Sequence, residues 1–260
     1  MKKFAGDIKE YWYFCTIMAK TGLKAEVANS YLNWIWWVLE PLASMAVYYL
    51  IFVNVLGRDQ PYYLVFIYTG SVIWSFFERC MLYDVQAVRL NRDIVTRAYL
   101  PKPMLVISNM IFNDLKMLIS AAILLLIFVV STVPVTWYIL YVIPMLVILH
   151  LFVLGAGLLL MHFGVFIDDL RHALGIFLRI AFYVTGIFYD LTKVLGDTWG
   201  KILIAVNPMA FIISSVRDAL IYGKAPSFIL LAVWTAISVI LCTIGIRLSY
   251  RYENTYAKII

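Results

Sequence analysis

Apolar residues in this chain come in long runs, and the charged residues gather in the gaps between them. An α-helix rises about 1.5 Å per residue, so crossing a hydrocarbon layer roughly 30 Å thick takes about 20 mostly apolar residues. Six runs meet that demand: Leu32 to Leu56, Tyr62 to Tyr83, Met104 to Val130, Tyr138 to Phe163, Ala173 to Tyr189, and Phe228 to Ile246. The pattern predicts an all-α membrane protein of six transmembrane helices. Residues 1–31 precede the first run, and residues 32–260 form the membrane domain.

Composition agrees with the pattern. Hydrophobic residues make up 64% of the 260 and charged residues only 14%, against about 45–50% and about 25% in water-soluble domains. The cations then set the orientation, because loops rich in Lys and Arg stay on the cytoplasmic side. Thirteen of the 21 fall before the first run, in the second and fourth connections, and in the C-terminal tail; the opposite connections hold five. This bias predicts that both termini are cytoplasmic.

Residues 1–31 lack the continuous apolar stretch of a signal peptide. Phe4, Ile8, Trp12 and Cys15 recur at helical spacing, with Lys3, Lys9 and Glu10 elsewhere on the wheel. That is the pattern of an amphipathic helix lying on the membrane surface, or of a cytoplasmic helix lying on a partner. Cys15, Cys80 and Cys242 fall at cytoplasmic or membrane depth, where thiols stay reduced and no disulfide is expected.

The connection from Asp190 to Ser227 is too apolar for an ordinary loop and too interrupted for a span. Pro208 lacks an N–H and disfavours helical geometry at Asn207, so a break is expected there. One continuous span would also carry Lys201, Arg217 and Asp218 into the bilayer, at about 2.5–3.5 kcal/mol for each near its centre. Two half-helices re-entering the outer leaflet, forming a vestibule or gate, satisfy both constraints.

Several polar residues sit at membrane depth. Glu40 lies midway along the first run, either as a carboxylate facing a path or interface or as a group satisfied within its own helix. Glu78 and Arg79 are expected to pair with Lys116 and Asp114, holding the second and third spans together. Asp168-Asp169-Leu170-Arg171-His172, with His162 upstream, matches no metal-ligand spacing and reads as a turn capping the fifth span. Arg179, further into that span, is placed to attract an anionic head group or to snorkel to the inner interface. The 18 Tyr, 16 Phe and 8 Trp exceed what interfacial belts need, and flat aromatic faces suit the C–H faces of sugar rings.

No phosphate-binding loop, Gly-x-Ser-x-Gly turn or His-Glu-x-x-His pair occurs, so no catalytic residue, metal or cofactor is assigned to this chain. If the chain pumps, a separate subunit has to supply the energy. Asp84 to Pro103, with Arg89, Arg92, Arg97 and Lys102, is a basic segment suited to docking one.

The chain resembles the membrane (permease) subunits of ATP-binding-cassette exporters of polysaccharide, O-antigen and teichoic acid. The resemblance rests on Trp36 to Phe52 (WWVLEPLASMAVYYLIF), Tyr99 to Asn109 (YLPKPMLVISN), Phe166 to Tyr189 (FIDDLRHALGIFLRIAFYVTGIFY) and Asn207 to Gly223 (NPMAFIISSVRDALIYG). It departs from the family at Ser30-Tyr31-Leu32-Asn33, where a basic residue, Tyr and Leu-Gly are usual, and at Thr185-Gly186-Ile187, where Thr-Pro-Ile is usual.

The resemblance implies a bacterial cytoplasmic-membrane protein working as a homodimer with two ATPase subunits, which hold the ATP and Mg. It has no nucleic-acid partner. The implied cargo is a glycan or teichoic acid on an undecaprenyl diphosphate carrier in the surrounding membrane lipid. Its path would run between the protomers, past Trp36, Trp37 and Glu40 on one side and Phe182, Tyr183 and Tyr189 on the other. Arg171 and Arg179 would meet the carrier diphosphate, and residues 84–103 would hold the coupling helix. The rival readings are a drug or lipid exporter of the same architecture, a membrane-embedded glycosyl or acyl transferase, and a channel or secondary transporter. The last is disfavoured because no internal repeat is visible.

Overall fold

A computed structural model describes residues 2–28, 33–51, 61–97 and 99–259, and among these every regular element is helical. In chain order they are α1 (Lys2–Ala28), α2 (Asn33–Tyr49), α3 (Tyr63–Asp84), α4 (Ala87–Leu90), α5 (Arg92–Arg97), α6 (Pro103–Val130), α7 (Val142–Phe166, entered through a 3-10 turn at Trp137–Tyr141), α8 (Leu170–Val184), α9 (Leu191–Leu195), α10 (Asp197–Val206), α11 (Pro208–Arg217), α12 (Phe228–Arg251) and α13 (Glu253–Ile259). Three of these are long and apolar enough to cross a membrane: Pro103–Val130, Trp137–Phe166 with its 3-10 turn, and Phe228–Arg251. The bent pair formed by α10 and α11 with its continuation to Tyr222 would add a fourth if counted as one span.

α3 is the helix around which the others assemble. It is enclosed along most of its length, from Tyr63 to Asp84, and packs on α2, α6, α7, α8 and α11. Enclosure by protein lets it carry Ser71, Ser75, Glu78 and Arg79 within an apolar run, because these groups face neighbouring helices and a cleft. α7 and α12 form the tightest helix pair. A Cβ at Gly155 would stand 2.7 Å from the Cys242 backbone nitrogen, and one at Gly245 would stand 2.7 Å from the Leu158 Cβ. Such small residues let backbones approach closely where lipid supplies little drive for association.

α1 packs along α6, burying Cys15 and Ala19, with the Cys15 thiol directed at the Met104 carbonyl oxygen (3.6 Å), and Phe4 is buried near its start. Trp12, placed on this face by the sequence reading, points out with Tyr13 and Ile17. Ile8 packs on the core as expected, and Tyr11 takes the place of Trp12, because four residues turn a helix by about 400° and the contact stripe drifts back by one position.

The ion pairs linking the helices differ from those expected. Lys116 pairs with Glu26 of α1 (2.7 Å), and Asp114 with His150 of α7 (2.8 Å), whose Nδ1 also faces the Leu146 oxygen at 2.7 Å. Glu78 accepts from Trp74 Nε1 of its own helix (3.0 Å). α1 and α7 flank α6 on sides that the one-dimensional pattern does not specify, and they take its charges.

The chain breaks at Asn207-Pro208 as its chemistry dictates. α10 and α11 meet at 113°, and Asn207 Oδ1 caps α11 by accepting from the N–H groups of Met209 (3.0 Å) and Ala210 (3.3 Å). The fifth helix ends at Val184, five residues earlier than its apolar run, because Gly186 adopts a left-handed φ of 75° that turns the chain. A Cβ there would strike the Leu191 side chain at 2.6 Å.

Candidate functional site

Polar positions on α3 recur at Ser71, Ser75 and Glu78, with Trp74, Arg79 and Leu82 on the same face. They line a cleft of about 350 Å³ closed by Ser44 and Tyr48 of α2 and Phe182 of α8. One wall is aromatic. The Phe182 ring stands edge-on to Trp74 at 5.7 Å and to Phe188 at 5.0 Å, and Tyr48 lies against Phe188 at 3.6 Å between centroids. The Trp74–Glu78 hydrogen bond fixes the indole and holds a carboxylate beside it. Ring faces, four hydroxyls, a carboxylate and a guanidinium in one groove can take a ligand with apolar C–H faces and many hydroxyls.

Only part of the sequence-derived path lies in this groove. Phe182 does. Tyr183 is 62% exposed on the outer side of α8, and Tyr189 donates to the Tyr183 carbonyl (2.7 Å), clasping the end of that helix. Trp36 is 58% exposed on α2. Trp37 is a fastening: its Nε1–H donates to Glu26 (3.1 Å), and Lys116 lies over its ring at 5.3 Å. The side chain of Glu40 lies outside the described residues. Tyr48, Ser71, Trp74 and Ser75 were missed. The signal for the α3 residues was the polar i, i+4, i+7 spacing of Ser71, Ser75 and Glu78.

α8 shows two faces. Leu178 is its one fully buried residue, while Ile176, Phe177, Ile180 and Tyr183 are exposed and apolar, with Arg171 and Arg179 exposed beside them. Asp168 and Asp169 provide no side-chain cap for α8. Asp168 instead pairs with Arg89, and His162 faces Tyr256 of α13 (2.6 Å), so this acidic run and His162 are directed apart.

Of the basic residues in 84–103, Arg92 and Arg97 are exposed on α5. Arg89 turns inward to Asp168 and the Val165 carbonyl (3.1 Å). Lys102 is only 3% exposed, and its ammonium donates to the Leu100 oxygen (3.0 Å). Burial draws its pKa down while Glu253 opposes the shift. It is an internal tie at the start of α6 and does not present its charge to a docking surface.

At the opposite end of α3, Arg217 is buried within the protein, only 3% exposed. Its Nε donates to the Phe66 oxygen (3.0 Å), Nη1 to Gly186 (2.9 Å) and Nη2 to Ile187 (2.6 Å), with the guanidinium 3.5 Å over the Phe66 ring. Gly70 makes the space, because a Cβ there would lie 2.4 Å from Nη2. One side chain thus fastens α11 to α3 and to the turn after α8. That turn contains the Thr185-Gly186-Ile187 departure, and Thr185 also accepts from Asn207 (3.0 Å).

Known proteins resemble this chain along nearly its whole length. It is 24% identical over 242 residues to the O-antigen export system permease protein RfbA of Myxococcus xanthus, with 93% of each chain covered. It is also 24% identical over 248 residues to a protein of the same name from Klebsiella pneumoniae, covering 94% of this chain and 93% of that one. The family model described as ABC-2 type transporter matches residues 13–221. This chain belongs to the ABC-2 type transporter family and is a membrane-embedded transport subunit.

Proposed function

We propose that the chain is the transmembrane subunit of an ATP-driven exporter of a lipid-linked polysaccharide, of the O-antigen or teichoic acid kind. It works as a pair of identical subunits bound to two ATPase subunits. α2, α3, α6, α7, α8 and α12 are the six passes, with both termini cytoplasmic and α10–α11 re-entering from the outer side of a bacterial cytoplasmic membrane. The exposed apolar faces of α2 and α8 meet the second copy. Arg171 and Arg179 meet the diphosphate of an undecaprenyl carrier, and Arg92 and Arg97 face the ATPase, which holds the ATP and Mg.

The cleft of Tyr48, Ser71, Trp74, Glu78 and Phe182 carries this reading. It combines ring faces with hydroxyl and carboxylate groups, as sugars require, and α8, one of its walls, is held by few buried contacts of its own. The end-to-end similarity to permeases named for O-antigen export supports the same cargo class. In vesicles containing the chain and its ATPase, Trp74→Ala and Glu78→Gln should lower glycan export while ATP hydrolysis persists. Unchanged glycan export by both variants, or ATPase stimulation by an apolar drug and not by lipid-linked glycan, would replace this reading with that of a drug exporter.

A further inference from the structure

The last turn of α3 is clamped. Asp84 accepts from Asn109 of α6 (2.9 Å), whose own side-chain oxygen accepts from Asn113 (2.9 Å). On the other side α7 presses in through two glycines. A Cβ at Gly157 would stand 2.2 Å from Asp84 Oδ2, and one at Gly164 would stand 1.8 Å from the Val85 carbonyl oxygen. The chain leaving α3 toward α4 therefore runs against the α7 backbone with no room between them.

Beyond the clamp, Arg89 of α4 reaches across to the far side of the same helix end. It bonds the Val165 carbonyl in the last turn of α7 (3.1 Å) and pairs with Asp168 in the turn that opens α8. Asp168 is 85% exposed and Arg89 one-third exposed, so the pair adds little to the stability of the fold. Yet the pair connects the basic α4–α5 segment to the head of a helix that is otherwise loosely packed and carries Phe182 into the cleft.

We propose that the Arg89–Asp168 pair is a strut that transmits displacement of the α4–α5 segment to the head of α8, so that the cleft is driven open through α8. Arg89 is then a positioning residue for transport and not a contact with the ATPase. This rests on the reading of α4–α5 as the ATPase docking segment.

The test uses the full complex with its ATPase in lipid nanodiscs. Spin labels go on Gly175→Cys of α8, where an added Cβ meets nothing within 4 Å, and on Leu126→Cys, exposed on α6. The native cysteines are all buried. ATP should change the label separation in the parent complex. Arg89→Ala and Asp168→Ala should each at least halve that change and the export per ATP, with assembly and ATP hydrolysis retained. Arg89→Lys, which keeps the charge, should recover part of both. An undiminished change in either alanine variant, or loss of ATPase binding in Arg89→Ala, overturns the strut. If the parent exports glycan with no movement of α8, the strut fails and the export reading stands. If the parent neither moves nor exports, both fall.

Discussion

Two arginines lie near the two ends of α3 and are held in opposite ways. Arg217 is enclosed, has carbonyl oxygens for partners and an aromatic ring for a floor, and lies in a space that Gly70 keeps free. Arg89 is partly exposed, and its partner Asp168 stands almost wholly in solvent. A buried guanidinium deprived of its acceptors has no water to fall back on, so the Arg217 end behaves as a permanent fastening. An exposed ion pair loses little when it opens. The Arg217 fastening holds α11 and the α10–α11 bend, whereas the Arg89–Asp168 pair joins the basic segment to the head of α8 at little energetic cost.

Substitutions can break this contrast at graded cost. Arg217→Ala leaves three buried carbonyls without their donor and a void above Phe66, and should cost about 3–5 kcal/mol, seen as a large fall in the unfolding temperature of the solubilised protein. Arg217→Lys should recover only part, because one ammonium cannot reproduce the planar fork. Gly164→Ala sets a methyl group into the Val85 carbonyl, and Gly70→Ala sets one into the guanidinium. Each should cost about 1–3 kcal/mol by overpacking, the first more because backbone cannot swing aside.

Arg89→Ala should shift stability least, by under about 1 kcal/mol, despite its expected effect on transport.

Much of the fold was written in apolar length. The third, fourth and sixth runs become α6, α7 with its 3-10 entry, and α12, with ends within a few residues of expectation except that α12 runs on to Arg251. The Asn207-Pro208 break was legible because proline chemistry is local. What was not legible is which polar groups meet. Lys116 chose Glu26, ninety residues away in sequence, and Arg217 was accepted into the interior by carbonyls, which leave no mark on side-chain patterns. The candidate site was half legible for the same reason. Phe182 lay in an aromatic cluster, whereas Ser71, Trp74 and Ser75 gain meaning once α2 and α8 close over them.

The most direct test of the account is transport by inside-out vesicles bearing this chain and its ATPase, loaded in the outer leaflet with lipid-linked glycan and sampled with an impermeant lectin. The account predicts that the glycan becomes protected only when both subunits and ATP are present, and that protection falls in Trp74→Ala and Glu78→Gln. Protection without ATP, or steady ATP hydrolysis with the glycan fully accessible, would contradict it.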